Sequence, residues 1–320
     1  AYIPAKDSSR ILDAVSVLRS MESDATPPLL GRRVVVYGGG DTAIDVARSA
    51  RRLGATDAVI VYRRSRAQMP AHDAEVEDAL QEGVKVKWLS TIQQVGDGAL
   101  TIEKMVLDAQ GRPQPTGEFE TLAADSLVLA LGQDVDLSLL HGVPGLQLQD
   151  GVVQVDPATL MTGHPGLFAG GDMVPAERNV TVAVGHGKKA ARHIDAWLRG
   201  ASLGSAPKHA PASFERLNPW YYSDAPKTLR PQLDLARRTG SFDEVQGGLT
   251  EANALFEARR CLSCGNCFEC DNCYGVCPDN AVTKLGPGRR FEFKLDYCKG
   301  CGICAAECPC GAIEMVAEEG

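Results

Sequence analysis

Apolar and polar positions alternate in blocks that predict strands and helices in turn. RRVVVY is typical of a short buried strand, GGGDTAIDVARSARRLG of a turn and a helix that ends at Gly54, and AVIVYRR of a second strand. A helix from about Asp73 to Glu82, the strand VKVKW, a segment from Ile102 to Asp108, the Gly/Pro-rich turn GRPQPTG and the strand SLVLALG follow. Continuous Val and Ile runs suit a parallel sheet covered on both faces, so this half of the chain is predicted to be an α/β nucleotide-binding domain.

The pattern changes after the last of these strands. GLFAGGD predicts a further strand, and TVAVGHGKKAARHIDAWL predicts a helix. Residues 201 to about 249 are rich in Pro, Ser and Ala and predict an ordered but irregular connector, after which EANALFEARR predicts a helix that leads into a cysteine-rich region.

Small residues at the first strand–helix junction predict a nucleotide site. Gly38, Gly40 and Ala43 form G-x-G-x-x-A, in which small residues let backbone amides approach a pyrophosphate at a helix N-terminus. A plain glycine turn without a nucleotide is the alternative, and the order strand, turn, helix argues against it. The candidate cofactor-binding residues of this segment are Gly38, Gly39, Gly40, Asp41, Thr42 and Ala43.

The end of the second strand indicates which nucleotide is bound. An NAD site usually has Asp or Glu there, whereas this chain has Arg63 and Arg64, and guanidinium groups suit a 2′-phosphate. We therefore predict NADP(H), the alternative being an exposed basic turn. His72 and His186 have no partner at a useful spacing and are predicted to be surface or packing residues, because hydride transfer between nicotinamide and flavin needs no side-chain base. No catalytic side chain is assigned.

Ten of the eleven cysteines fall between Cys261 and Cys308. Two runs repeat the frame C-x2-C-x2-C-x3-C-P, in which three thiolates hold one iron–sulfur cluster and the fourth reaches a second cluster. The crossed pattern predicts two [4Fe–4S] clusters, one held by Cys267, Cys270, Cys273 and Cys308, and the other by Cys298, Cys301, Cys304 and Cys277.

Zinc and disulfides fit this spacing less well. Structural zinc takes two ligand pairs separated by a long loop, and disulfides require an oxidising compartment, yet neither a signal segment nor a long apolar run is present. The protein is therefore predicted to be cytoplasmic, with reduced thiols. Because Cys261 and Cys264 continue the three-residue spacing, a different choice of ligands stays open, although only the downstream choice has the Cys-Pro ending in register. Cys310 is predicted to be a small core residue.

Length and charge set wider limits. A chain of 320 residues with a net charge of −8 suits two or three domains and lacks the clustered Lys and Arg of a nucleic-acid-binding face. We expect no nucleic acid partner and no membrane span. A stable hetero-oligomer is expected, because a cluster module at the end of a connector is useful only when docked close to an acceptor.

Several separated motifs together resemble a known family. VVVYGGGDTAIDVARSARRLGA, VYRRSRAQMPAHDAEVEDALQEGV, LVLALGQ and GLFAGGDMV with TVAVGHGKKAA resemble the glutamate synthase small subunit and its relatives, flavoproteins of the disulfide-reductase-like two-dinucleotide fold. EARRCLSCGNCFECDNCYGVCPDNAV and YCKGCGICAAECPCGAIEM resemble the ferredoxin tail of a subgroup that serves as the NAD(P)H-linked subunit of 2-oxoacid:ferredoxin oxidoreductases.

The resemblance implies FAD as a further cofactor. It implies that Gly171 and Asp172 bind FAD, that Thr181 and Val182 at the following helix start lie near the isoalloxazine, and that Gly132 belongs to the strand-end motif where the chain returns to the FAD half. Asp134 stands where the family commonly has Pro. No strand with G-x-G-x-x-G for the FAD pyrophosphate precedes Ala1, so FAD binding is expected to require an N-terminal half that this sequence lacks.

The resemblance also implies a domain plan and a function. The expected order is the end of an FAD-domain segment, an NADP(H)-binding Rossmann-like domain, the C-terminal part of the FAD-binding domain, a connector and an α+β bacterial-type ferredoxin domain, over residues 1–30, 31–130, 131–200, 201–256 and 257–320. The expected function is electron transfer between NADP(H), FAD and the clusters, coupled to a partner such as the catalytic subunits of a 2-oxoacid:ferredoxin oxidoreductase. Alternatives are an NADPH-consuming donor for a reductase or a glutamate synthase large subunit, and a non-catalytic NADP(H)-sensing adaptor.

Overall fold

The described residues form two compact units. A computed structural model describes residues 10–22, 28–201 and 211–317. The first unit runs to Ala201 and also contains Gln232–Gln246, and the second contains the remainder of the connector and the chain from Gly247 onward. Residues 1–9 and 23–27 of the predicted FAD-domain segment and 202–210 of the predicted connector lie outside the described residues. No helix in the described parts of the chain is both long and apolar enough to cross a membrane.

The first unit is built on a parallel sheet. Its strands, in chain order, are β1 (Arg10–Asp13), β2 (Arg33–Gly38), β3 (Asp57–Val61), β4 (Lys85–Lys87), β5 (Ser90–Val95), β6 (Ala99–Leu107), β7 (Pro113–Ala123), β8 (Ser126–Ala130), β9 (Leu148–Gln149) and β10 (Val152–Val153). Its helices are α1 (Ala14–Glu22), α2 (Asp41–Arg52), α3 (Asp73–Gln81), α4 (Val180–Leu198) and α5 (Leu235–Gly240). The order β1-β8-β2-β3-β4 forms the parallel sheet, and β5-β6-β7 forms an antiparallel one.

The two faces of β2 bury different layers. Val34 and Val36 pack with residues of α1, α2 and α3, whereas Val35 and Tyr37 pack with residues of the antiparallel sheet. Successive side chains of a strand point to opposite faces, so an unbroken run of Val is what a strand covered on both sides requires. The prediction of a parallel sheet covered on both faces is confirmed.

Two local predictions were wrong. The segment GRPQPTG was expected to be a turn, but the turn is confined to Asp108–Arg112, and Pro113 already begins β7. β7 is an edge strand. A proline is tolerated in an edge strand because a backbone nitrogen that faces away from the sheet has no neighbouring strand to which it must donate a hydrogen bond. GLFAGGD forms no strand; it contributes an isolated bridge between Met161 and Phe168 and a single 3₁₀ turn, Gly171–Met173.

The Gln232–Gln246 segment packs on α2 through a buried ion cluster. It includes the short helix α5, whose Arg238 is 4% exposed and contacts Asp78 at 2.9 Å and Glu82 at 3.1 Å. Arg48 of α2 donates two hydrogen bonds to the same Glu82 carboxylate, at 2.9 and 2.8 Å. The middle of the predicted connector therefore belongs to the first unit, where charges satisfy one another within the helix layer.

The second unit has short elements joined by turns. They are α6 (Glu251–Arg259), α7 (Asn272–Gly275), β11 (Val282–Lys284), β12 (Phe291–Phe293) and α8 (Ile303–Ala306). β11 and β12 pair antiparallel. The predicted helix EANALFEARR is present as α6, with the Thr250 hydroxyl accepting a hydrogen bond from Asn253 N at its start. This unit carries all eleven cysteines, none of them in a disulfide.

Candidate functional site

A cavity of about 440 Å³ lies at the carboxyl ends of β2, β3 and β8. This is the edge of a parallel sheet at which α/β domains bind ligands. Its lining includes most of the predicted nucleotide residues and some that the sequence did not indicate: Tyr37, Gly38, Gly39, Gly40, Thr42, Tyr62, Arg63, Arg64, Pro70, Ala130, Leu131 and Gly132.

The three small residues of G-x-G-x-x-A have three different local roles. Gly38 has φ +155°, and a Cβ there would lie 2.2 Å from the Ala130 carbonyl oxygen of the adjacent strand. Gly40 has no atom within 4 Å of the equivalent position, so its backbone is open to a ligand. Ala43 is fully buried against the sheet. A pyrophosphate-binding segment requires a tight turn, a backbone that is open to the ligand and close packing of the helix on the sheet. Gly38, Gly40 and Ala43 supply these three features in that order.

Tyr62 and Gly39 fit together at the wall of the cavity. A Cβ on Gly39 would lie 2.4 Å from the Tyr62 ring, and the Tyr62 hydroxyl donates a hydrogen bond to the Gln68 carbonyl at 2.8 Å. No local sequence pattern predicted this role of Tyr62. The sequence feature that could have predicted it is the position of Tyr62 beside Arg63, at the end of a strand that points toward the glycine turn.

The first turn of α2 has its own charged partner. Asp41 accepts hydrogen bonds from the backbone N–H of His72 at 2.9 Å and from its Nδ1 at 2.8 Å. This pair joins the start of α2 to the residue that precedes α3, beneath the glycine turn. His72 is exposed, as predicted for a surface histidine, and its partner lies 31 positions away in the sequence.

The arginines after β3 differ in their pairing. Arg66 forms an ion pair with Asp73 at 2.6 Å and does not line the cavity. The side chains of Arg63 and Arg64 line the cavity and form no ion pair within the described residues, and Arg64 Nε is buried without a hydrogen-bond partner there. A pair of unneutralised guanidinium groups is a fit for a phosphate, which accepts such bonds strongly.

The residues expected to contact FAD come together at the start of α4. Gly171 has φ +67°, and its N–H donates to His186 Nδ1 at 3.0 Å, which fixes the proton of a neutral ring on Nε2. Asn179 caps α4 by accepting a hydrogen bond from Val182 N at 2.8 Å, next to Thr181. Asp172 lies in the same 3₁₀ turn as Gly171 and is exposed. His186, predicted to be a surface or packing residue, is half-buried, and this hydrogen bond links it to the predicted FAD segment.

Five thiols line one cavity of about 140 Å³ in the second unit. Four are the predicted ligands of one cluster, and the fifth is Cys310: Cys267, Cys270, Cys273, Cys308 and Cys310. Phe268, Phe291 and Phe293 supply apolar walls. The first cysteine run and the last cysteine of the second run thus line the same cavity, although more than thirty residues of chain separate Cys273 from Cys308. The crossed ligand sets stay a prediction.

The other predicted ligand set is linked by backbone and charge contacts. Cys298 N donates to the Lys294 carbonyl at 3.0 Å, and Lys294 N donates to the Ala281 carbonyl at 2.8 Å. Lys299 forms an ion pair with Asp279 at 3.2 Å. These contacts hold the segment that follows Cys277 beside the run that starts at Cys298.

The two cysteine runs are internal copies with an offset of 31 residues, as from Cys277 to Cys308. Each has a four-residue helix at the same place, α7 in the first and α8 in the second. Ala281 N donates to Cys277 Sγ, and Ala312 N donates to Cys308 Sγ, both at 3.3 Å. The left-handed positions also correspond: Glu269, Asp271 and Asn280 in the first copy, and Gly300, Gly302 and Gly311 in the second.

Burial changes the acidity of some of these thiols. Burial raises the pKa of Cys273 to about 11, and burial together with the neighbouring Cys308 raises the pKa of Cys310 to about 12. Cys261 and Cys264 are exposed. Cys310 is buried as predicted, but it faces the thiol-lined cavity.

A dinucleotide-binding fold joined to two four-cysteine runs defines a class of iron–sulfur oxidoreductases. The chain belongs to the pyridine nucleotide-disulphide oxidoreductase family, whose model matches residues 4–187. A model described as a 4Fe-4S dicluster domain matches residues 266–312. These matches imply FAD and NADP binding and two [4Fe–4S] clusters, and they confirm the predicted fold class and cofactors.

The relatives include subunits of larger redox enzymes. The NADP(+)-dependent formate dehydrogenase subunit beta of Moorella thermoacetica is 39% identical over 276 residues, which cover 78% of this chain and 38% of that protein. The putative glutamate synthase [NADPH] small chain of Cereibacter sphaeroides is 42% identical over 188 residues, 55% of this chain and 46% of that protein. This chain thus spans less than half the length of either. The crystal structure of Lactococcus lactis thioredoxin reductase in its FR conformation matches at 23% identity and a TM-score of 0.45, over 53% of this chain and 54% of that one.

Proposed function

We propose that this chain is part of an electron-transfer oxidoreductase in which electrons pass between NADP(H), FAD and two [4Fe–4S] clusters, to or from a partner enzyme. The observation that carries the proposal is the cavity at which Cys267, Cys270 and Cys273 meet Cys308. When bound, nicotinamide and flavin exchange a hydride, and the clusters carry single electrons. The chain's own residues bind and orient these groups.

The glycine turn and α2 are proposed to hold the pyrophosphate of NADP(H). Gly40 leaves its backbone open, Thr42 lines the cavity, and the N-terminus of α2 carries partial positive charge that favours a phosphate. Asp41 is kept beside this turn by His72, which supports the loop without occupying the cavity. Tyr62 and Gly132 bound the same cavity.

Arg63 and Arg64 are proposed to bind the 2′-phosphate that distinguishes NADP(H) from NAD(H). We expect Arg63→Ala to lower the ratio of NADPH to NADH affinity about 10- to 100-fold, because a charge-assisted hydrogen bond contributes about 1.5–3 kcal/mol. Fluorescence titration with both nucleotides measures the ratio. Arg66→Ala is the matched control, since Arg66 already pairs with Asp73. An unchanged ratio in Arg63→Ala and Arg64→Ala would show that neither residue reads the phosphate.

Gly171, Asp172, Thr181 and Val182 are proposed to line the FAD site. The family match across residues 4–187 supports this assignment, as does the hydrogen bond that joins Gly171 to His186 of α4. Arg178 donates to the Gln133 carbonyl at 3.1 Å, which ties the segment before α4 to the strand-end motif that follows Gly132. The chain's residues therefore orient one side of a flavin site.

The proposed cluster ligands are the eight cysteines of the two crossed sets. One set is Cys267, Cys270, Cys273 and Cys308; the other is Cys277, Cys298, Cys301 and Cys304. The dicluster match supports this choice over one that uses Cys261 and Cys264, because the matched residues begin at 266. Thiolate ligands of this kind suit a reducing compartment such as the cytoplasm.

The proposed partners are catalytic subunits of a multi-subunit redox enzyme. Relatives named as a formate dehydrogenase subunit and a glutamate synthase small chain support a hetero-oligomer. A 2-oxoacid oxidoreductase with ferredoxin-type electron transfer is the partner that we propose from the resemblance of the cysteine-rich tail. Anaerobic copurification of the partner, followed by assay with a 2-oxoacid, tests this assignment against a role as an NADPH-consuming donor.

The central experiment is an iron, sulfide and flavin analysis of the anaerobically purified protein, with visible spectra before and after addition of NADPH. We expect eight iron atoms per chain and loss of flavin and broad iron–sulfur absorbance on reduction. Eight iron atoms without any response to NADPH would contradict the relay and favour the adaptor.

A further inference from the structure

Cys310 lies next to a proposed iron ligand without being part of the four-cysteine frame. Its Sγ is 3.8 Å from Cys308 Sγ, and the residue is 2% exposed. This distance is far too long for a disulfide, in which the sulfur atoms are about 2 Å apart. It lies within the range of a hydrogen bond between two sulfur atoms.

The chemistry of ligation sets the direction of this hydrogen bond. Cysteine binds iron as a thiolate, so an iron-bound Cys308 has no proton and can only accept. In a hydrogen bond between these two sulfur atoms, the donor must therefore be Cys310. Cys308 Sγ then accepts two hydrogen bonds, one from Cys310 S–H and one from Ala312 N–H at 3.3 Å.

The equivalent ligand of the other copy has a different neighbour. Cys277 Sγ accepts the corresponding backbone bond from Ala281 N at 3.3 Å. At the position that matches Cys310, however, stands Asp279, a carboxylate that pairs with Lys299. An ionised carboxylate has no proton to donate to a sulfur. The internal repeat therefore supplies its own comparison: one Cys-Pro ligand has a thiol donor beside it, and the other has not.

The backbone around Cys310 is held from both sides. The Cys310 carbonyl accepts a hydrogen bond from Gly265 N at 2.6 Å. Gly311 has φ +62°, and a Cβ there would lie 2.8 Å from the Arg216 carbonyl oxygen. These contacts fix the orientation of Cys310 toward the cavity that it shares with the first cluster set.

We propose that Cys310 is a positioning residue that donates an S–H···S hydrogen bond to the iron ligand Cys308 and thereby raises the reduction potential of that cluster relative to the other. The inference rests on the proposed function, because it requires Cys308 to bind iron. Reduction adds negative charge to the cluster and its thiolates, and a hydrogen-bond donor stabilises that charge. Cys310 thus makes the two clusters electronically unequal in an otherwise repeated frame.

Redox titration of the intact, anaerobically purified protein, followed by electron paramagnetic resonance, tests the proposal with Cys310→Ala and Cys310→Ser. We expect both variants to keep eight iron atoms per chain. In Cys310→Ala, one cluster should shift to lower potential, so that its reduced-to-oxidised ratio at a fixed potential falls about two- to fivefold. Cys310→Ser keeps a donor at the same position and should reverse most of the shift, and the exposed Cys261→Ala should leave both potentials unchanged.

Two results would overturn the proposal. Unchanged potentials in Cys310→Ala at full iron content would show that Cys310 does not act on the cluster. Loss of iron in Cys310→Ala would make Cys310 a ligand instead of a donor. Failure of the proposed function is distinguishable from both, because it would appear in the unsubstituted protein, as missing iron or as clusters that do not respond to NADPH.

Discussion

The two units of this chain are stabilised in different ways. The first has an apolar core on each face of its parallel sheet and a smaller buried cluster of Val153, Ala169 and Val174. In the described part of the second unit, three of the seven buried apolar side chains are cysteines, in the set Leu217, Cys273, Ala281, Val282, Cys308, Pro309 and Cys310. A small module with so little apolar burial needs another source of free energy, which metal–thiolate bonds supply. We therefore expect the clusters of the second unit to serve as part of its core.

The backbone conformations of the two units support the same conclusion. Of the nine non-glycine residues with positive φ among the described residues, six lie between Ser263 and Arg290. A left-handed conformation costs a non-glycine residue roughly 1 kcal/mol and persists where the surroundings determine it strongly. Ligation by successive cysteines is such a determinant, whereas the regular elements of the first unit avoid the cost.

Removal of iron is expected to have the largest effect. It should destabilise the second unit and leave the first unit stable. Anaerobic chelation should abolish the hydrogen-exchange protection of residues 267–312 and leave that of β2, α2 and β3 within twofold. The reason is that the first unit does not depend on metal for its core. Hydrogen exchange with mass spectrometry before and after chelation makes the measurement. Persistent protection in the iron-free second unit would contradict the comparison.

Glu82→Ala should be the most damaging single substitution of this set in the first unit. The Glu82 side chain is fully buried and accepts hydrogen bonds from Arg48, Arg52 and Arg238, so its removal leaves buried guanidinium groups without their partner. We expect a loss of about 3–5 kcal/mol in the free energy of unfolding. Urea-dependent hydrogen exchange of α2 measures it. Glu75→Ala is the control, because Glu75 is half exposed and should cost less than about 1 kcal/mol; equal losses would refute the assignment.

The lowered pKa of the Glu82 carboxyl group implies that the first unit loses folding stability at low pH. Burial alone would raise the pKa of Glu82, but the hydrogen bond and charge of Arg48, with Arg52 and Arg238, lower it below its ordinary value of 4.5. A carboxyl group with a depressed pKa in the folded state stabilises the fold above its unfolded value, and that stability is lost as the pH falls below about 4.5. Between about pH 5 and pH 3, Glu82→Gln should therefore show a smaller loss of stability than the unsubstituted protein. Parallel pH profiles would contradict this prediction.

The sequence predicted helices and strands correctly where a local pattern of residues was enough to identify them. The Val run of β2 and the small residues at the start of α2 each followed from neighbouring residues. The prolines of β7 were misread as a turn, because only the tertiary position of that strand at a sheet edge makes prolines acceptable there.

Long-range partners explain what the sequence analysis missed in the sites. Arg238 and Glu82 are 156 positions apart, and no local period links them. His186 acts on Gly171 from the following helix, and Tyr62 packs on Gly39 from the neighbouring strand. The two proposed ligand sets of the eight cysteines, by contrast, follow from spacing alone, because ligation requires a fixed number of thiolates at short intervals.

The left-handed positions of the two cysteine runs allow a finer comparison within the second unit. Asp271, at φ +68°, corresponds to Gly302, at φ +75°. Asp271 forms an ion pair with Lys284 at 2.6 Å, whereas Gly302 has open space where a Cβ would be. The first copy thus offsets part of the strain at an acidic residue with a charge partner, and the second copy avoids the strain with glycine.

An exchange of these two residues gives the smallest effect and the sharpest test. Asp271→Gly relieves the left-handed strain and loses an exposed ion pair, two changes of about 1 kcal/mol or less that oppose each other. Gly302→Asp adds the strain without a cation to offset it and should speed the release of iron to a chelator about two- to fivefold, while Asp271→Gly should stay within twofold of the unsubstituted protein. The rate of absorbance loss under anaerobic chelation measures both. If Asp271→Gly released iron faster than Gly302→Asp, then the Lys284 pair, and not the backbone conformation, would determine the stability of this turn.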